Sequence, residues 1–138
     1  MREVPEACPF CRPEPRLIIA ENALAVAILD AYPVNPGHTL VIPRRHVSSW
    51  FDASQDERIA MLVLVDEVKR SQEAASPPAG YNIGVNVGEA AGQTVGHVHV
   101  HVIPRYTGDV DDPSGGVRFV IPARGHYRRS GYIPSAKE

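Results

Sequence analysis

The sequence predicts an α+β domain in which an antiparallel sheet of about five strands carries one long helix. Several short apolar segments are bounded by turn residues, and only one long segment has helical periodicity. Two late segments alternate apolar and polar residues, as strands of an antiparallel sheet with two unlike faces do. With 138 residues the chain has the usual size of one domain, and we expect residues 1–138 to form one.

The first half of the chain contains three predicted strands. The apolar segments 17–20 and 24–29 are separated by a short polar turn, which predicts a hairpin. A loop rich in proline and glycine, residues 32–37, leads to a third strand at 38–43, where a proline ends the segment.

The long helix is predicted after a capping box, in which Ser54 is followed three residues later by Glu57. Residues 76–80, rich in proline and glycine, end the helical pattern. Its apolar face comprises Met61, Leu64, Val65 and Val68, widened by Ile59 and Leu62.

The two alternating segments follow the helix, and we expect their apolar face to pack on it. The apolar face of the first segment comprises Ile83, Val85 and Val87. In the second, Val98, Val100 and Val102 alternate with His97, His99 and His101. On one face of a strand, successive imidazoles of these three lie about 6.6 Å apart along the strand, at about 3.3 Å per residue. Such a row is a poor way to build only a core, because the rings destabilise the fold if they become charged together.

The residues around these histidines leave two chemistries open. A His-x-His spacing is also found among metal ligands. Alternatively, the glycine-containing turn 88–96 can direct backbone N–H groups at an anion, which favours a phosphate held beside a nucleophilic imidazole.

Composition and charge exclude some classes of function. The net charge is −2, and the scattered Lys and Arg residues do not form the basic surface of a protein that binds duplex nucleic acid. No segment approaches the roughly 20 apolar residues that cross a bilayer, and the N-terminus lacks the apolar stretch of a signal peptide. We therefore expect a cytoplasmic protein that does not bind membranes.

The only two cysteines, Cys8 and Cys11, lie in residues 1–16, a loop rich in proline and charge. In a reducing compartment this spacing favours metal binding or redox chemistry over a structural disulfide. One such pair supplies only half of a tetrahedral zinc site, so two more ligands are needed. A thioredoxin-like redox pair is disfavoured because no helical pattern follows Cys11, whereas two reduced thiols remain an alternative.

The segment Gly92–Ile103 resembles the His-φ-His-φ-His-φ-φ motif of the histidine-triad (HIT) family, where φ is apolar. The resemblance extends from Cys8 to about Arg105, and residues 115–122 resemble the tail of bacterial members more loosely. It implies the HIT-like fold, usually paired into a homodimer, with an extended C-terminal tail over 106–138.

The resemblance also implies roles for individual residues. His99 matches the nucleophile that attacks the α-phosphorus, and His101 matches a donor to the phosphate oxygens. Asp30 matches the residue that contacts the ribose. The positions matched to the phosphate and leaving group are Asn86, Gly92, Gln93 and Thr94. His38 matches a histidine that orients the triad. Alternation independently places Asn86 opposite the face of Ile83.

In bacterial zinc-containing members, two histidines complete the cysteine pair. The resemblance therefore implies structural zinc bound by Cys8, Cys11, His46 and His97, which would hold the N-terminal loop. One departure is Gly96, where the family often has a larger side chain.

The expected function is hydrolysis or transfer at the α-phosphate of a purine nucleotide, through a nucleotidyl-histidine. Nucleoside phosphoramidates and dinucleoside polyphosphates are the expected substrates, with release of a nucleoside monophosphate. One alternative is a nucleotide-binding or scaffolding module with vestigial activity. Another is a metalloprotein whose histidines all bind a catalytic zinc.

Overall fold

The computed structural model describes residues 8–126. The chain divides into two compact units between Arg105 and Tyr106. Within the described part of the second unit, 3₁₀ turns form at Gly116–Val120 and Pro122–Arg124. The predicted tail residues 127–138, like residues 1–7 of the predicted N-terminal loop, lie outside the described range. In the part from 8 to 126, no helix has both the length and the apolarity needed to cross a membrane.

The first unit contains the predicted five-stranded antiparallel sheet. The spatial order of the strands is β1-β2-β3-β5-β4. Their bounds are Ile18–Glu21 (β1), Ala25–Leu29 (β2), Thr39–Pro43 (β3), Gly80–Val85 (β4) and Val100–Arg105 (β5). At the β1–β2 turn, Asn22 Oδ1 accepts hydrogen bonds from the backbone N–H groups of Leu24 and Ala25, at 3.1 and 2.9 Å.

Helix α1 spans Gln55–Ala75 and begins with the predicted capping box. The Ser54 hydroxyl accepts from the Glu57 N–H, and the Glu57 carboxylate accepts from the Ser54 N–H. Glu57 also forms an ion pair with Arg45 at 2.7 Å. This contact with the guanidinium keeps the pKa of the buried Glu57 carboxyl below its usual range, so the cap is charged.

The helix buries a narrower face than the sequence suggested. Met61, Leu64, Val65 and Val68 are buried against the sheet, as predicted. The prediction that Ile59 and Leu62 widen this face is wrong, since each is 52% exposed. The physical reason is that α1 packs on one side of the sheet, chiefly over β2 and β3, so only one stripe of the helix is covered.

Strands β2 and β3 bury both of their faces. Ala25, Ala27 and Val41 belong to the core under α1. The opposite face has its own apolar cluster, which consists of Val26, Ile28, Leu40 and Ile42, with Phe10, Leu17 and Ile18 packed against it. Such continuous apolar strands need a cover on each side, and here the N-terminal segment supplies the second cover.

Two predictions about the alternating strands need correction. His97 and His99 precede β5, so only His101 of the three lies within the hydrogen-bonded strand. The ladder between β3 and β5 ends at the pair Val41 and Val100, and the Val98 N–H donates instead to the Val47 carbonyl at 2.8 Å. The alternation nevertheless continues through this segment, since Val98 is fully buried in the core under the helix.

The second correction concerns Ile83, which does not pack under the helix and is 50% exposed. It lies on β4, a strand at one edge of the sheet, while α1 packs chiefly over β2 and β3. Val87 lies beyond the end of β4 and is half-buried.

The helix offers a matched pair of leucines for a test of this packing. We expect Leu64→Ala to lower the free energy of unfolding by about 2–5 kcal/mol, because Leu64 is completely buried. Leu62→Ala on the exposed side should change it by no more than about 0.5 kcal/mol. Denaturant unfolding measures both values, and equal losses would contradict the buried face described above.

Candidate functional site

A cavity of about 610 Å³ opens on the face of the sheet opposite α1, a volume in the range of small-molecule sites. Its apolar lining includes Phe10, Leu17, Ile28 and Leu40. Of the residues predicted to bind nucleotide, the structure brings six to this cavity: Asp30, Asn86, Gly92, Thr94, His99 and His101. A group of hydrogen-bonding side chains thus meets an apolar wall large enough for a nucleobase.

His99 presents one defined ring nitrogen to the cavity. Its Nδ1 donates a hydrogen bond to the backbone carbonyl of His97 at 2.8 Å. A neutral imidazole with a proton on Nδ1 keeps its lone pair on Nε2. Since His99 is only 7% exposed, Nε2 is a shielded nitrogen with a free lone pair, and the backbone sets its orientation. Such a nitrogen can act as a base or as a nucleophile.

His101 is oriented by a second histidine. His38 Nδ1 accepts from the Val34 N–H at 3.1 Å, so its Nε2 carries the proton and donates to His101 Nδ1 at 2.9 Å. The Nε2 of a neutral His101 is then an N–H donor. Burial lowers the pKa of both His38 and His101, which favours these neutral forms.

Asp30 extends this chain of contacts. One carboxylate oxygen lies 3.4 Å from His38 Nε2, and the other accepts from the Tyr32 N–H at 2.8 Å. The carboxylate therefore fixes the loop after β2 and also contacts the histidine that orients His101.

Helix α1 contributes to the position of His38. Gly37 has a φ of +88°, a conformation that favours glycine, and its carbonyl accepts from Gln72 Nε2 at 3.0 Å. A Cβ at Gly37 would collide with the Gln72 side chain. The loop that carries His38 is thus held closely against the helix.

Gln93 uses its amide to hold its own loop. Its Oε1 accepts from the Gly88 N–H at 2.9 Å, while Nε2 donates to the carbonyls of Ser48 and Val95 at 2.6 and 3.0 Å. Gln93 lines a smaller hollow outside the main cavity, whereas Thr94 and Gly92 line both. The structure therefore brings Gly92 and Thr94, the two neighbours of Gln93 in the sequence, to the main cavity, but not the Gln93 amide.

The four residues predicted to bind zinc converge on one point. The two Sγ atoms and two Nδ1 atoms of Cys8, Cys11, His46 and His97 all lie within 4.8 Å of one another. The Nδ1 atoms of His46 and His97 are 3.2 Å apart, and Cys11 Sγ lies 3.1 and 3.6 Å from them. A tetrahedral zinc with bonds of about 2.0 Å to nitrogen and about 2.3 Å to sulfur has ligand separations of about 3.3–3.8 Å. The three distances lie within about 0.2 Å of that range, so the donors are positioned to bind a metal.

Hydrogen bonding also suits His97 to a metal. Its Nε2 donates to the Pro43 carbonyl at 2.8 Å, which leaves the Nδ1 lone pair directed into the cluster. Burial and the neighbouring Cys8 raise the pKa of the Cys11 thiol to about 11. A thiolate here needs a nearby cation, as zinc would provide.

Asp30, His38 and His101 form a second group with metal-ligand spacing. The tautomer of His38 argues against a metal here, because its Nδ1 accepts an N–H and its Nε2 already carries the proton. These three residues are better described as a hydrogen-bonded relay.

Several residues that line the cavity were not predicted from the sequence, among them Phe10 and Arg12. Both belong to the segment around the cysteines, which has no periodicity that assigns it to a face. The only available signal was an apolar residue between two predicted metal ligands.

Comparisons with known proteins agree with this fold. A family model described as the HIT domain matches residues 12–108. The AP-4-A phosphorylase of Mycobacterium tuberculosis is 38% identical over 99 residues, which cover 71% of this chain and 51% of that protein. The adenosine 5′-monophosphoramidase of Schizosaccharomyces pombe is 38% identical over 103 residues, which cover 72% of this chain and 74% of that protein. The chain therefore spans about half the length of the phosphorylase.

A solved structure resembles most of the chain. The Zn-bound histidine triad family protein from Mycobacterium smegmatis superposes with a TM-score of 0.67 at 31% identity, over 91% of this chain and 98% of that one. The family model alone covers more than half of the sequence. The chain therefore belongs to the histidine-triad (HIT) domain family.

Proposed function

We propose that this protein is a nucleotide hydrolase or transferase that acts at the α-phosphate through a nucleotidyl-histidine on His99. The observation that carries the proposal is the His99 Nδ1–His97 carbonyl hydrogen bond, which directs the Nε2 lone pair into a nucleotide-sized cavity. In this proposal the nucleoside monophosphate product has its α-phosphate between His99 and the His101 N–H. Its ribose lies at Asp30 and its base against the apolar wall.

The first step forms a bond between His99 Nε2 and the α-phosphorus. The bond to the leaving group breaks, and the leaving group departs with the electron pair and takes up a proton. The substituted imidazole becomes positively charged, and the His97 carbonyl stabilises that charge through Nδ1–H. The His101 Nε2–H donates to a phosphate oxygen, where negative charge accumulates in the transition state.

In the second step, water or another acceptor attacks the same phosphorus. The phosphorus–Nε2 bond breaks, its electron pair returns to His99, and the proton of the attacking water is released to solvent or to a neighbouring base. With water as the acceptor, the product is a nucleoside monophosphate.

Two relatives support a purine nucleotide as the substrate. One is named for AP-4-A and the other for an adenosine monophosphoramide. A dinucleoside polyphosphate and a phosphoramidate differ only in the leaving group, so the same attack by His99 serves both.

Loss of the nucleophile provides the test of this mechanism. We expect His99→Ala to lower kcat on adenosine phosphoramidate and diadenosine tetraphosphate by at least about a thousandfold, while AMP affinity changes only a few fold. Turnover assays and calorimetry measure the two effects. Equal turnover by the variant would exclude His99 as nucleophile, and AMP binding without turnover by the wild type would favour a scaffolding module.

We also propose that Cys8, Cys11, His46 and His97 bind a structural zinc. The donor separations and the His97 tautomer support four protein ligands, which leave no position open for catalysis at the metal. We expect elemental analysis to find about one zinc per chain and Cys8→Ser to lower that content strongly. Folded protein without zinc after purification in zinc-containing buffer would contradict this proposal.

We further propose that two copies of the chain form a homodimer through β4. Within residues 8–126, β4 pairs on one side only, with β5, and carries the half-exposed Ile83. Such an edge favours pairing with a second copy of the same strand.

Sedimentation should therefore give about twice the 15.0 kDa mass of the chain. Ile83→Lys should shift the protein towards monomer, because a charge on this surface opposes its burial. Val34→Lys is the control and should remain dimeric, because Val34 is 67% exposed in the loop between β2 and β3, away from β4. A monomeric wild type at micromolar concentration would contradict the dimer.

A further inference from the structure

Phe10 joins the metal-binding cysteines to the proposed nucleophile. It lies between Cys8 and Cys11 in the sequence, so its backbone moves with the cluster. Its ring centroid is 5.0 Å from that of His99, with the planes at 56°. It also meets His97 edge-on, with centroids 6.1 Å apart. These are the separations at which aromatic rings stabilise one another.

The same side chain forms part of the cavity wall. Phe10 lines the cavity together with His99 and Leu40. It also packs on the apolar cluster of β2 and β3 that faces away from the helix. One ring thus contacts both the nucleophile and the surface on which the proposed nucleoside rests.

The segment that carries Phe10 has no regular secondary structure to hold its backbone. Residues 8–14 contain neither helix nor strand and form turns before the 3₁₀ turn at Pro15–Leu17. Cys8 and Cys11 tie this segment to His97 and His46 of the domain. Breaking those ties would free a short chain whose conformational entropy favours departure from the sheet.

We propose that Phe10 is a positioning residue for His99 and couples the metal cluster to the nucleotide cavity. With the cluster intact, the ring restricts the His99 imidazole and completes the apolar wall. With the cluster broken, the ring leaves both contacts, and nucleotide affinity falls. For the ligand, this inference rests on the proposed function; for the coupling, it rests on the chain's own contacts and on the proposed zinc site.

The first arm of the test contains no nucleotide. Side-chain resonances of ¹³C-labelled histidines are recorded for the zinc-loaded and the chelator-treated protein, as wild type and as Phe10→Ala. Because an aromatic ring shifts the signals of nearby nuclei, zinc removal should displace the His99 signal markedly in the wild type and much less in Phe10→Ala. The His38 and His101 signals report whether the sheet remains folded. Equal displacement in both proteins would overturn the coupling.

The second arm measures AMP binding by calorimetry, with zinc content determined on each sample. Phe10→Ala should retain its zinc but bind AMP about tenfold more weakly, because it loses an aromatic wall of the pocket. Zinc removal should weaken the wild type similarly and add little to the loss in Phe10→Ala. Phe10→Leu should recover most of the affinity, since it restores apolar bulk.

Phe51→Ala serves as the matched control because Phe51 is 71% exposed, and it should bind AMP and zinc like the wild type. If the losses of AMP affinity from zinc removal and from Phe10→Ala are additive, the inference is contradicted, because additivity means that zinc and Phe10 act independently. Failure of the wild type to bind AMP would contradict the proposed function instead, while the histidine resonances would still decide the coupling.

Discussion

The hydrogen bond from His99 Nδ1 to the backbone carbonyl of His97 is the interaction on which the site depends. It assigns the proton of the His99 ring and thereby directs the other nitrogen to the cavity. The residue that supplies this carbonyl is itself held on both sides of its ring. His97 donates from Nε2 to Pro43 and turns Nδ1 towards the two cysteines. The orientation of His99 therefore follows from a backbone position that strand β3 and the cysteine cluster jointly fix.

The apolar character of β2 and β3 explains why a cavity forms beside these histidines. A single helix can cover only one face of a five-stranded sheet. The other face nevertheless carries apolar side chains, those of Val26, Ile28, Leu40 and Ile42. Phe10 and Leu17 cover part of that second face. The remaining space, bordered by polar residues from the strand ends and loops, is the cavity. The requirement to bury the second face thus also creates a pocket with an apolar wall and hydrogen-bonding groups at its border.

The proposed chemistry uses neutral histidines, and the fold provides for them. His38 is buried and His101 half-buried, and each is linked to a partner that defines its tautomer. The link continues through Gly37 to Gln72 on the helix, so both faces of the sheet contribute to the position of His101. Such a chain limits reorganisation when charge develops on a phosphate, which is how preorganised donors lower a barrier.

The sequence by itself determined those structural elements that are specified by residues close together in the chain. The capping box at Ser54, the helical stripe around Leu64 and the alternation through Val98 and Val100 depend on near neighbours along the chain. The spacing of the three histidines is equally local, and so the family could be recognised from it. Only the tertiary structure decided that β5 begins at Val100 and that Ile83 lies at an exposed edge, because pairing and coverage involve distant segments.

Tertiary contacts also decided the details of the site. The tautomer of His97 depends on the Pro43 carbonyl of β3, and His101 is oriented by His38, 63 positions away; no spacing in the sequence specifies either contact. The position of Phe10 against His99 joins residues 89 positions apart and results from burial of the second sheet face. The sequence therefore determined the residue types, whereas the proton position of His97, the pairing of His38 with His101 and the ring contacts of Phe10 arose from packing between segments that are far apart in it.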